Sequence, residues 1–319
     1  MGSKALIELA LKTLDINQKQ LASHLHVSPT QITKWKNDEH ISFEMQKKFE
    51  SILDLQGIDP EFATMIGSIE SAKVWDKIIK FLAKFAREES ETGYDTVPLI
   101  DELNFLVLDV GSIMQDIGLS LPQTIPVELQ QIDFDNFYGL NEDDDINIEK
   151  NWFILQDNIY TSTIEEMLLN LNDVYGYYAA YISKLFYSPK FKGDLEIDEL
   201  DFSISSSLLS LAATNLENID TPEFKDFRYK TLKSVKELML SLKNKCIEQN
   251  IPLGVELMDF VNVDHGQLGH ETEAESLGFN DYRVHPDIYM SEILIGLRNI
   301  ERRQLLIMEK LGIEDNPFV

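Results

Sequence analysis

A chain of 319 residues with 44% hydrophobic and 26% charged residues, 15 Gly and 10 Pro has ordinary globular composition, which excludes collagen, low-complexity protein and disorder along its whole length. Its single cysteine, Cys246, excludes an internal disulfide and a cysteine-rich zinc module and fits a reducing cytoplasm. The net charge of −27 argues against a chain that coats nucleic acid or anionic membrane over its whole surface, and no apolar run approaches the roughly 18 residues of a membrane span.

In chain order, Lys4–Leu14 places Leu6, Ile7, Leu11 and Leu14 near helical spacing. Asn17 stands where an N-cap would, with Gln20 three residues on to complete a capping box, and the helix continues through Leu21, Ala22 and Leu25. After a turn at His26-Val27, Ser28 is a second N-cap, Pro29 takes the first helical position and Gln31 is expected to complete another box, in a helix running to about Asn37. Ser42 is expected to cap a fourth helix carrying Phe43, Met45, Phe49, Ile52 and Leu53. Gly57 and Pro60 then mark a junction, one able to end a helix and the other to begin the next.

Beyond the junction, helices are expected at Glu61–Glu89, Leu99–Ile117, Ile148–Tyr187 (as one helix or two), Asp198–Leu216, Glu223–Glu248 and Asp287–Leu311. Gly118–Ile146 and Asn250–Val284, rich in Pro, Gly, Asn and Asp, read as long connections. The expected fold class is all-α, with no repeat of fixed period. Residues 1–57 hold seven Lys and seven Asp or Glu, so the whole acid excess lies beyond Gly57. A neutral head, 1–57, and an acidic helical body, 58–319, are therefore expected to have different roles, although acid on the body also serves as a plain solvated surface.

The segment QKQLASHLHVSPTQITKWK, residues 18–36, has the form of two helices joined by a tight turn. Ala22 is small where the helices would cross, and Leu21, Leu25, Val27, Ile32 and Trp35 form the apolar seam. On a helical wheel, Ile32 and Trp35 point inward while Thr30, Thr33, Lys34 and Asn37 point outward; Gln31 lies nearer the edge, which suits capping better. An outward face that is short, polar and free of acid suits a DNA major groove. Threonine offers a hydroxyl and a methyl, and lysine reaches a guanine edge or a phosphate.

These residues resemble the Cro/C1-type (XRE) helix-turn-helix family of transcriptional regulators over roughly residues 4–55, through QKQLA, VSPTQITKW and the NDEHIS turn. The resemblance implies a four- or five-helix DNA-binding head, with Pro29–Asn37 as recognition helix and a homodimer on a near-palindromic operator. By position, Gln18 would touch phosphate, and Ser28, Thr30, Thr33 and Lys34 would face bases or backbone. The expected DNA-binding set is Gln18, Lys19, Ser28, Thr30, Gln31, Thr33, Lys34, Lys36 and Asn37. One departure is His26 at a turn position that the family often gives to Gly. A left-handed conformation there costs a non-glycine residue on the order of 1 kcal/mol.

The body carries weaker signals. His265, His270, Glu271 and Glu273 offer metal-ligand chemistry, but their spacing is not HExxH and a polar loop is the plainer reading. Asp143, Asp144, Asp145, Asn147 and Glu149 mimic the start of a calcium loop without its central Gly or closing Glu. No phosphate-cradling glycine motif and no nucleophile-base pairing occurs, so neither an enzyme nor a bound cofactor or metal is expected. Tyr175, Tyr177, Tyr178 and Tyr181 form a stripe suited to core packing or to an effector pocket. The last helix, with Met290, Ile293, Leu294, Leu297, Ile300 and three arginines, is suited to closing a dimer. The expected protein is a cytoplasmic transcriptional regulator, a repressor, whose acidic body dimerises and receives a small effector or a protein partner, with no role at a membrane. The alternative is an antitoxin-like protein that neutralises a partner through its body and autoregulates through its head.

Overall fold

The computed structural model describes residues 3–101, 104–138, 144–254, 256–262 and 286–312, with side chains throughout except at 144–146 and 286–292. Helices dominate, and no strand occurs among the described residues. Contacts divide the chain into two units, one made of residues up to 83 with 101–164, the other of 84–100 with the residues from 165 onward.

The first unit opens with α1 (Ser3–Thr13), α2 (Gln18–Leu25), α3 (Pro29–Lys36) and α4 (Phe43–Leu53). Leu6, Ile7, Leu9 and Ala10 of α1 are buried, and α1 packs on both α3 and α4. The fourth helix ends at Leu53, four residues before Gly57, with Asp54 as its cap at φ 51°, and Gly57 follows at φ 88°. Pro60 does begin a helix, α5 (Pro60–Ile66), capped by Asp59, whose carboxylate accepts from the Glu61 amide at 2.6 Å. α5 packs back on α1, so the apolar core of the head continues past the turn at 56–60.

The helix expected at 61–89 is broken by Gly67 (φ 94°) into α5 and α6 (Ile69–Glu88). Only the second half of Leu99–Ile117 is α-helical, as α7 (Leu106–Asp116), preceded by a 3-10 turn at Val97–Ile100. α5 and α7 cross closely at Gly111, where a Cβ would stand 2.8 Å from the Phe62 ring. The connection 118–138 is packed. Leu121, Ile125, Leu129, Ile132 and Phe137 are buried, Trp75 donates to the Pro122 carbonyl at 3.0 Å, and Phe81, Phe137 and Trp152 form a ring cluster.

The stretch expected at 148–187 holds three α-helices and a π-helical turn: α8 (Asp144–Asp157), α9 (Ile159–Tyr177), the π turn at Tyr178–Ile182 and α10 (Ser183–Phe186). Asn158 divides α8 from α9, its side-chain Oδ1 accepting from the Tyr160 amide at 3.1 Å. Asp144 and Asp145 fall in α8, and Asp143 lies outside the described residues.

The second unit continues with α11 (Leu195–Ala213), α12 (Pro222–Glu248), α13 (Glu256–Asn262) and α14 (Pro286–Leu311). Its centre is the α11–α12 pair, with α13 against α12 and the π turn. Asn172 ties this core internally: its amide oxygen accepts from the Thr96 hydroxyl at 2.7 Å and its nitrogen donates to the Ala86 carbonyl at 2.6 Å. Of the tyrosine stripe, Tyr177, Tyr178 and Tyr181 are buried, and Tyr177 stacks on Phe260 at 6.0 Å.

Candidate nucleic-acid interface

The head assembles α2 and α3 as the sequence pattern requires. Asn17 caps α2, accepting from the Lys19 and Gln20 amides at 3.0 and 3.1 Å, while Gln20 Oε1 accepts from the Asn17 amide at 2.8 Å. This is a complete capping box. The second box forms only by half. Ser28 Oγ accepts from the Gln31 amide at 3.2 Å, but the Gln31 side chain makes no return bond. Ser42 stands at the N-cap of α4 without a side-chain bond.

The turn between α2 and α3 is closed by a Schellman arrangement. The Val27 amide donates to the Ala22 carbonyl at 2.9 Å and the His26 amide to Ser23 at 3.2 Å. That arrangement requires a left-handed residue, and His26 takes it with φ 57° and ψ 41°. Leu21, Ala22, Leu25 and Ile32 are fully buried beneath the turn. Trp35 anchors α3 from within, its ring meeting Phe49 of α4 edge to face at 6.2 Å.

With that anchor inside, the opposite side of α3 faces solvent. Thr30, Thr33, Lys34 and Asn37 are exposed together with the capping Ser28, and Gln31 is half-buried. Thr33 donates its hydroxyl proton to the Pro29 carbonyl at 3.2 Å, so its oxygen can only accept from any further partner. Lys19 is exposed at the first turn of α2, beside half-buried Gln18, and Lys36 is half-buried. All nine expected residues thus lie on α2, α3 or the caps at their ends.

The sequence reading missed one participant. Asp38 (φ 66°) closes α3 in a second Schellman arrangement, with the Glu39 amide donating to the Lys34 carbonyl at 3.1 Å. The tight reversal returns the Glu39 carboxylate to within 3.5 Å of the Lys34 ammonium. The Asp38-Glu39 pair was legible as acid at the far end of the helix; its proximity to Lys34 depends on the left-handed turn.

Among the described residues, no group of three His, Cys, Asp or Glu is placed to hold a metal ion, and no helix is long and apolar enough to cross a membrane. His265, His270, Glu271 and Glu273 lie outside the described residues. No family model matches the chain, and no curated protein or solved structure was found to resemble it.

Proposed function

We propose that the chain is a sequence-specific DNA-binding transcriptional regulator, a repressor without enzymatic activity, that works as a homodimer on an operator. The observation that carries this reading is the outward face of α3. Thr30, Thr33, Lys34 and Asn37 are exposed on a helix whose inner side is fixed by Ile32 and Trp35. A rigid, short-chained polar face of this kind fits a major groove, and the amides at the helix start suit a phosphate. Acid concentrated beyond Gly57 supports confinement of DNA contact to the head, because a duplex repels the body.

The second unit supports an effector role for the body. A cavity of about 710 Å³ is lined by Asn170, Asp173, Thr214, Glu217, Asp220 and Arg228, and the Asn170 amide nitrogen is itself closed off from solvent with no hydrogen-bond partner. A small polar effector that presents donors to these carboxylates suits such a lining.

The test is fluorescence-anisotropy titration of the full chain against duplex from upstream of its own gene, across salt concentrations. Binding is expected to weaken steeply with salt. Thr33→Ala and Lys34→Ala are each expected to cost about 1–3 kcal/mol of specific affinity. Equal binding to every sequence, untouched by both substitutions, would overturn the reading.

A further inference from the structure

α14 presents two different faces. Its inner face is fastened to the second unit: the Arg298 guanidinium donates to the Pro252 carbonyl at 2.7 Å and pairs with buried Glu256, Glu301 pairs with Lys190 at 2.6 Å, and Glu309 with Lys192 at 3.3 Å. The other face carries Ile293, Leu297, Ile300, Ile307 and Leu311, between 43% and 66% exposed, with exposed Gln304 in their midst. These six positions are separated by four, three, four, three and four residues. That alternation is a heptad seam, in which large side chains recur every 3.5 residues. It keeps one face aligned along another helix and has no equivalent purpose against water. Arg298 and Glu309 project away from the seam, so the ion pairs that hold α14 leave the seam displayed.

We propose that this seam pairs in parallel with α14 of a second copy of the chain, forming a two-stranded coiled coil that dimerises the second unit. The argument for a second copy rests on Gln304. Alone among the six it is polar, and it sits at an a-type position. Opposite an unrelated apolar helix its amide would be desolvated without a partner. In a parallel pair of identical helices in register, it meets the same residue of the other copy, and two amides satisfy each other. A single polar residue at such a position fixes register and strand number. The inference rests on the homodimer part of the proposed function and is independent of the DNA contact.

Sedimentation velocity of the full chain without DNA tests it. A dimer is expected at micromolar concentration. Ile300→Lys and Ile307→Lys, each at an already exposed site, are expected to give monomers with unchanged helical circular dichroism and at least a tenfold weaker dimer. Gln304→Cys is expected to form an intersubunit disulfide on mild oxidation, since parallel pairing opposes the two copies of this position; buried Cys246 supplies no competing thiol. A monomeric wild-type chain, a dimer unaffected by Ile300→Lys, or a dimer in which Gln304→Cys fails to crosslink would overturn the proposal. Loss of DNA binding with the dimer intact would count against the DNA reading alone.

Discussion

The Lys34 ammonium lies 3.5 Å from the Glu39 carboxylate, on the one face of α3 otherwise free of acid. Both side chains are about half exposed, so water screens the pair and it adds little to stability. Its effect falls on the cation, which a duplex phosphate would have to take from Glu39. Glu39→Gln is expected to leave the unfolding midpoint unchanged and to tighten DNA binding by about twofold to fivefold, the equivalent of an exposed pair worth about 0.5–1 kcal/mol. Anisotropy titration at fixed salt reads the gain.

His26 holds a left-handed conformation that glycine adopts at no steric cost. His26→Gly is expected to stabilise the chain by up to about 1 kcal/mol, and His26→Val to destabilise it by more than that, because branching at Cβ worsens the clash. Urea unfolding measures both. Equal stability of the two variants would show that the turn is not held in the left-handed form.

Cys246 is fully buried on α12, and burial pushes its thiol up to about 12; nearby Glu256 pushes the same way, while Arg298 acts against both. The native chain therefore keeps this proton at a pH where the unfolded chain has released it. The contribution to stability is complete below the ordinary thiol range and is lost as pH rises through that range toward 12. Iodoacetamide at pH 9 is expected to leave Cys246 unmodified in native protein and to alkylate it rapidly in urea, as mass spectrometry would show.

Glu256 is 1% exposed and meets the Arg298 guanidinium, while the Gly254 amide donates to its other oxygen at 2.7 Å. Arg298→Ala leaves a buried carboxylate without its cation. It is expected to cost about 3–5 kcal/mol and to release α14, whereas the pair Glu256→Gln with Arg298→Met recovers part of that loss. Thermal unfolding and proteolysis near α14 would show it.

How much was legible in the sequence follows from how local each cause is. Asn17, Ser28, Pro29 and Pro60 act over three or four residues, and the helix starts they mark are where the structure has them. Thr30, Thr33 and Lys34 could be assigned outward because Ile32 and Trp35 fix the inward direction on the same helix. The breaks at Gly67 and Asn158 were harder, since a single glycine or asparagine within an apolar pattern does not declare whether the helix yields. Packing of 118–138 onto Phe81 and Trp152 was not legible, because loop composition gives no sign of the distant ring that will cover it. The grip of Glu39 on Lys34 and the isolation of the Asn170 amide were likewise products of tertiary arrangement.

Neither unit is one continuous stretch of chain: the one that begins at the N-terminus also draws on residues 101–164. During translation, its α1–α4 portion leaves the ribosome well before α7 is available to cover α5. Completion of this unit therefore waits on the synthesis of about a hundred further residues, and no single cut in the gene encodes it whole and alone.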